Sequence, residues 1–210
     1  MPTECNQESF QFHPLSGREV RGQFDNGAIT SKVAGELLAF QFYKSYGLAI
    51  MRAWPFNHTG PRQSPAFVCS NFAWQIAEID LGLRPPKMIV GNLNVRRDFT
   101  DVRDIVRGYH LLLEKGEPGE VYQLCSGRAV AIETILQTLM LSTPKPIRVE
   151  VDESKVHGQE APVLWGDLTK AKQAVGWTPQ IDLETTLRDL TLYWGQTVRS
   201  QSNLMPPTTS

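Results

Sequence analysis

The sequence predicts an α/β fold with parallel strand pairing, and three observations carry that expectation. Apolar stretches of strand length alternate with segments of helical periodicity along most of the chain. Two strand-like runs, one ending at Trp54 and one at Val90, each break into a polar cluster. Open α/β sheets present ligand-binding groups in that position, outside the carboxyl ends of their strands. No internal repeat and no apolar run of bilayer-spanning length offers a competing architecture.

Taken in order, residues 1–30 are polar, with scattered Gly, Pro, Asn and Asp and no sustained period, and read as loop. From Ser31 the apolar residues Val33, Leu37, Leu38, Phe40, Phe42, Tyr43 and Tyr46 recur at helical spacing until Gly47 supplies a stop. This helix is apolar on more than one side. A buried strand follows from Leu48 to Trp54, then a helix from Ala66 to Leu81 that ends near Gly82 and Pro85. Met88 to Val90 reads as a short strand. Asp101 to Glu114 reads as a helix with Val102, Ile105, Val106, Tyr109, Leu112 and Leu113 on its apolar stripe.

Glu120 to Cys125 is expected as a strand, Ala131 to Leu141 as a helix and Ile147 to Val151 as a strand. Asp167 caps a short helix, Leu168 to Val175, which Gly176-Trp177-Thr178-Pro179 ends. The last helix spans Leu183 to Val198. From Arg199 the tail offers little that could pack, so residues 199–210 are expected to be disordered. Tyr43, Tyr46, Trp74, Tyr109, Trp177 and Trp194 read as core aromatics. Glu78 and Asp80 do not form a carboxylate dyad, because residues two apart on a helix do not face each other.

The 210 residues, 41% hydrophobic with a formal net charge of -1, describe an ordinary globular protein with no single-sign field to recruit nucleic acid or an anionic membrane. Cys5, Cys69 and Cys125 have no metal-ligand spacing, and an odd count argues against a disulfide framework. Reduced thiols in a cytoplasmic protein with no metal are expected. The first residues lack the pattern of a signal peptide, so the glycosylation acceptor Asn57-His58-Thr59 has no consequence.

The first polar cluster carries Asn57, His58, Thr59 and Arg62; the second, Gly91 to Asp104, carries Asn92, Asn94, Arg96, Arg97 and three aspartates. Two such clusters suggest a bound anion. The competing reading is structural: Asn57 and His58 satisfy backbone groups in a tight turn, Arg97 pairs with Asp98, and Lys32 and His157 are solvated.

Ser31-Lys32 ahead of a helix, the run Arg52-Ala53-Trp54-Pro55-Phe56-Asn57-His58-Thr59-Gly60-Pro61-Arg62-Gln63, and then Arg97-Asp98-Phe99 with Asp101-Val102-Arg103-Asp104 carry a family resemblance. Together they resemble the C-terminal half of an extended short-chain dehydrogenase/reductase of the NAD-dependent epimerase/dehydratase type, over roughly residues 31 to 195. The nearest group is that of the GDP-6-deoxy-D-mannose reductases, with the GDP-mannose 4,6-dehydratases close behind. The resemblance implies a partial Rossmann-like parallel sheet with a smaller C-terminal substrate-binding α/β domain, together in residues 31–198. Residues 1–30 form an atypical N-terminal segment.

The resemblance also implies roles. Lys32 matches the catalytic lysine of a Tyr-x-x-x-Lys pair, which lowers the tyrosine pKa and also touches the cofactor, NADP or NAD. Pro55, Phe56, Asn57 and His58 would flank the cofactor. Asn57 and Arg97 would hold the diphosphate of a GDP-linked sugar, the backbone of Met88 to Val90 would flank the base, and Arg62, Phe67, Val68 and Glu160 would line the substrate. A further diphosphate arginine is replaced near His157, a residue only partly charged near a reference pKa of about 6.5.

Two family features are missing from the sequence. Four residues before Lys32 stands Ala28, no tyrosine occurs before Tyr43, and Gly17 to Gly27 stands where the family has little more than Pro-Tyr. No Gly-x-Gly-x-x-Gly occurs either, so cofactor affinity is expected to be weak and the chain to be inactive by itself. Three readings follow: a nucleotide-sugar reductase, a dehydratase of the sister group, or a non-catalytic module that binds a nucleotide sugar or pairs with another subunit through the helix 31–46, the helix that commonly lines a homodimer interface in this superfamily. A parallel sheet without its first strands is expected to expose an edge and to aggregate.

Overall fold

The computed structural model describes residues 27–155 and 161–204. The chain divides into two compact units, one of residues 1–52 with 117–121 and one of residues 53–116 with 122–210.

In the first unit, helix α1 runs from Gly27 to Tyr46, so it begins four residues before the expected start at Ser31. Its Glu36 pairs with Arg52, whose guanidinium stacks on the Phe40 ring and donates to Gly119 O. Gly119 sits at φ 85°, and a Cβ there would lie 2.2 Å from the Tyr43 ring. Only glycine meets both conditions. Leu37, Leu38, Phe42 and Tyr46 are exposed, so Tyr46, expected in a core, is 71% accessible.

The second unit holds most of the fold. Its elements are β1 (Arg52–Pro55, entering from the first unit), β2 (Asn57–Thr59), α2 (Val68–Asp80), β3 (Lys87–Val90), β4 (Arg96–Asp101), α3 (Val102–Lys115), β5 (Val121–Leu124), β6 (Ala129–Ala131), α4 (Ile132–Met140), β7 (Arg148–Val151), β8 (Val163–Leu164), α5 (Thr169–Val175) and α6 (Leu183–Leu204). The α/β class holds. The strands form three small sheets: β1 with β5, β2-β4-β6 with β8 on β4, and β3 with β7. Pairing is parallel in β2–β4, β3–β7 and β4–β8, as expected, and antiparallel in β4–β6.

The main correction concerns the two polar clusters. Asn57–Thr59 and Arg96–Asp101, read as parts of polar clusters beyond the strand ends, are themselves strands, and they pair with each other. Their polarity hid them, because the buried Asp98 and Asp101 of β4 are satisfied by hydrogen bonds that no periodicity reveals. Strands β6 and β8, three and two residues long, also lacked a signal. Helix α6 continues six residues past Val198, so the tail expected to be disordered from Arg199 begins in helix. Residues 205–210 lie outside the described residues.

Two cores hold the unit together. One joins α2, α4 and α6 over β3 and Phe99, with Ile76, Ile79, Met88, Val90, Ile135, Leu139 and Leu190 nearly inaccessible. The other packs Ile105 and Leu112 of α3 against Tyr122, Leu124, Ala171, Val175 and Trp177. Gly108 permits the second: a Cβ there would lie 2.8 Å from Leu124 Cδ1 and 2.9 Å from Trp177 Nε1. Trp177 and Trp194 are core as expected, whereas Tyr109 is 40% exposed. Asp167 accepts from Thr169 N–H at the start of α5. Among the described residues no helix is long and apolar enough to cross a membrane, and no group of His, Cys, Asp or Glu could hold a metal ion.

Candidate functional site

In β2–β4 the register sets Asn57 beside Phe99, His58 beside Thr100 and Thr59 beside Asp101. Side chains alternate along a strand, and in-register neighbours share a face. Asn57, Phe99 and Arg97 therefore lie on one face, and His58, Asp98 and Thr100 on the other. The Asn57 side chain is exposed and has no hydrogen-bond partner among the described residues, so it does not satisfy a turn. His58 does serve the backbone: its Nδ1 lies 3.0 Å from Phe56 O. A carbonyl only accepts, so this contact puts the proton on Nδ1 and leaves Nε2 as an acceptor.

Arg97 donates through Nη1 to Ala161 O at 2.8 Å and to Arg96 O at 2.9 Å. It does not share a face with Asp98, contrary to the structural ion pair weighed from the sequence. Asp98 is fully buried and instead gathers four donors: Ser126 N and Oγ on Oδ1, both at 2.7 Å, and Gly127 N at 2.9 Å and Gly166 N at 3.3 Å on Oδ2. This carboxylate ties β4 to the segment beyond β5 and to the turn at Gly166. Gly166 packs so closely on the Phe56 ring and Cys125 that a Cβ would stand 2.5 Å from Phe56 Cε2.

The other two aspartates of the second cluster are also structural. Asp101 caps α3 by accepting from Arg103 N, takes both Nε and Nη2 of Arg103, and accepts from Thr186 Oγ1 of α6. Burial works to raise its pKa, but these donors outweigh burial and hold it below the ordinary carboxylate value. Asp104 accepts from Gln180 N and Ile181 N and pairs with Arg107. The cluster's acids are spent on scaffolding, and Arg103 is spent with them, on Asp101 and Asp189.

The remaining expected site residues are dispersed. Lys32 is exposed on α1 in the first unit. Arg62 is exposed at the tip of a turn closed by Gln63 N–H on Gly60 O, with φ 74° and Pro61 before it, the arrangement of a type II turn. It follows the carboxyl end of β2 whereas Arg97 lies near the amino end of β4, so the two guanidiniums sit toward opposite ends of the parallel pair. The turn is braced by Gln63, which accepts from Thr59 Oγ1 and donates to His58 O, while Ser70 Oγ donates to Gln63 O. Phe67, exposed, and Val68, half-buried, begin α2. His157 and Glu160 lie outside the described residues.

The expected base-flanking edge is closed. Met88 and Val90 are core side chains, 0% and 2% accessible. Strand β3 pairs with β7 on one edge, where Asp152 N–H donates to Val90 O. On the other edge the buried Gln75 amide bonds both Ile89 N and Ile89 O at 3.2 Å. No backbone group from Met88 to Val90 is left to read a base in the way the sequence implied. At the carboxyl ends of β3 and β7, however, lies a cavity of about 330 Å3 lined by Asn92, Leu93, Asn94, Glu133, Val151 and Glu153. Glu133 and Glu153 had no signal in the sequence. A hollow of about 440 Å3 along α5, lined by Leu168, Thr169, Lys172 and Gln173, includes none of the expected site residues.

Of the cofactor candidates in the second unit, Phe56 donates its N–H to Leu124 O, and among the described residues the Asn57 amide and His58 Nε2 are the side-chain groups without a hydrogen bond. The second unit therefore fits a cofactor through those two groups alone. Cys69 and Cys125 are buried thiols whose pKa burial pushes up to about 12, so neither is a nucleophile.

Comparison with known proteins matches this arrangement to one family. The model of the GDP-mannose 4,6 dehydratase family matches residues 29–190. The chain is 33% identical over 176 residues to the GDP-6-deoxy-D-mannose reductase of Pseudomonas aeruginosa, covering 84% of this chain and 58% of that protein. It is 29% identical to GDP-mannose 4,6 dehydratase 2 of Arabidopsis thaliana, covering 86% of this chain and 46% of that protein. The solved structure of RMD from Pseudomonas aeruginosa complexed with NADPH superposes with a TM-score of 0.76 at 33% identity, covering 80% of this chain and 56% of that one. The chain thus spans about half the length of the relatives it matches, and it belongs to the GDP-mannose 4,6 dehydratase family.

Proposed function

We propose that this chain supplies the sugar-nucleotide-binding part of a reductase that converts GDP-4-keto-6-deoxy-D-mannose to GDP-6-deoxy-D-mannose. The observation that carries the reading is the shared face of Asn57 and Arg97 on β2–β4. An amide with free donors and a planar guanidinium, two positions apart along paired strands, suit the oxygens of a diphosphate. The 33% identity to a GDP-6-deoxy-D-mannose reductase supports the choice of reaction. NADPH or NADH, when bound, supplies the hydride for the C4 ketone. The chain's own residues hold the diphosphate and offer Lys32 as the cation of the catalytic helix. With Ala28 one turn before Lys32, that turn has no phenol to protonate the C4 oxygen, and turnover by this chain is slow or nil.

That alanine favours a second reading, a nucleotide-sugar-binding module that works by pairing with another subunit. The exposed Leu37, Leu38, Phe42 and Tyr46 on α1 support a homodimer through that helix, and the two buried thiols suit the cytoplasm. Titration calorimetry with GDP tests the binding reading, and NADPH oxidation with the keto sugar separates the two. Heat with GDP supports binding on either reading, oxidation at any measurable rate selects the reductase over the module, and no heat with GDP removes both.

A further inference from the structure

Strand β7 has one edge on β3 and one edge open. Arg148 N–H donates to Pro86 O at 3.0 Å and Asp152 N–H to Val90 O at 2.8 Å, so the backbone groups of Arg148, Glu150 and Asp152 point toward β3. Alternation turns those of Val149 and Val151 the other way, and β7 has no second strand beside it among the described residues. The far edge of β3 is closed by Gln75, so the open ladder of this sheet belongs to β7. Along that edge the sequence Ile147-Arg148-Val149-Glu150-Val151 is complementary to itself when reversed.

We propose that this edge is a contact between two copies of the chain, whose β7 strands pair antiparallel about Val149 and join the two β3–β7 sheets into one. That register sets Val149 against Val149, Ile147 against Val151 and Arg148 against Glu150. The outward residues then form the hydrogen-bonded pairs, in which two residues exchange both N–H···O bonds. The charged residues fall in the non-hydrogen-bonded pairs, where facing side chains come closest. Centring the pair on Glu150 instead would set two carboxylates face to face, so the charges select one register. The side chains suit it. Glu150 takes Lys87 Nζ at 2.6 Å and Arg148 Nε at 3.2 Å within its own chain, and the Arg148 side chain is 80% exposed, which leaves its Nη groups for a carboxylate of the second copy. On the opposite face Val151 is 49% exposed, and Ile147 of the second copy would cover it. The contact is separate from α1 and independent of the nucleotide-sugar reading.

The test is charge exchange on the full chain, read by sedimentation velocity and by hydrogen exchange at the Val149 and Val151 amides. The unaltered chain is expected to associate reversibly, with exchange at both amides slowing as concentration rises. Arg148→Glu, which faces carboxylates with carboxylates, and Glu150→Arg, which faces guanidiniums with guanidiniums, each shift that protection to at least about tenfold higher concentration. Mixing the two variants restores it, since one edge is then acidic and the other basic, and so does combining both substitutions in one chain. Recovery in the mixture also shows that each variant folds. Association and amide protection that neither substitution changes, as contact through α1 alone would give, overturn the proposal. A monomeric unaltered chain overturns it, as does a mixture that stays unprotected. Protection independent of concentration also overturns it, because another segment of the same chain then covers the edge.

Discussion

Asn57 stands in register with Phe99 across the parallel β2–β4 pair, and Arg97, two positions earlier on β4, shares its face. If both hold one diphosphate, Asn57→Ala and Arg97→Ala each weaken GDP binding about 10- to 100-fold, the loss expected for a hydrogen bond to a charged group. The double variant then loses less than the sum of the two, because the groups share a ligand. Calorimetry of the four proteins reads this directly; strictly additive losses would separate the residues.

Asp98 is fully buried with four donors on its carboxylate. Asp98→Asn keeps the shape but sets an NH2 against backbone N–H groups. A destabilisation of about 3 kcal/mol is expected in urea unfolding. A loss under about 1 kcal/mol contradicts the role of Asp98 as the tie between β4, Ser126 and Gly166.

At an exposed helical position, glycine to alanine stabilises by up to about 1 kcal/mol. Gly108→Ala is expected to do the opposite, costing about 1–3 kcal/mol, because the new methyl meets Leu124 and Trp177 below 3 Å. The sign of the shift in melting temperature decides it.

Asp101 is held below the ordinary carboxylate pKa in the folded chain. A lowered folded pKa means that the unfolded chain binds the proton first, so the contribution is complete above the unfolded value of about 3.9 and fades as pH falls through the folded one. Melting scans between pH 7 and pH 3 should show the unaltered chain losing stability below about pH 4 more steeply than Asp101→Asn. Parallel acid limbs would refute this.

Cys69 and Cys125, pushed up to about 12 by burial, carry about one thiolate in ten thousand at pH 8. Iodoacetamide should leave both unmodified in the native chain and label both in urea, as peptide mass spectrometry would show. Rapid native labelling of either would mean that its core opens.

Helices were the legible part of this fold. Val102–Lys115 lies within one residue of its expected span because an apolar stripe at helical spacing and an Asp cap are both local in sequence. The strands β2 and β4 were not legible as strands. Asn57, His58 and Thr59 have no apolar alternation, and β4 buries Asp98, Thr100 and Asp101, residues that a periodicity argument assigns to solvent. Their partners are distant: Ser126 is 28 residues from Asp98 and Thr186 is 85 from Asp101.

The candidate site divides in the same way. Asn57 and Arg97 were visible as chemistry, since an amide and a guanidinium beyond apolar runs suggest anion binding. Met88 and Val90 were placed at the right strand but with the wrong role, because neither the pairing with β7 nor the side chain of Gln75 can be read from neighbouring residues. Glu133 and Glu153 gave no signal, as each is an ordinary surface acid until the ends of β3 and β7 are brought side by side.

By itself, then, the amino-acid order determined the α/β class, the positions of the helices, the family, and the Ala28 that stands one turn before Lys32. Those features depend on residue type and short spacing, which a linear chain displays. Tertiary structure alone decided that two polar clusters are paired strands, that three aspartates serve as struts, and which donors share a face. Such outcomes depend on register between segments some 40 residues apart, and register is set by which backbone groups find partners when the chain closes on itself.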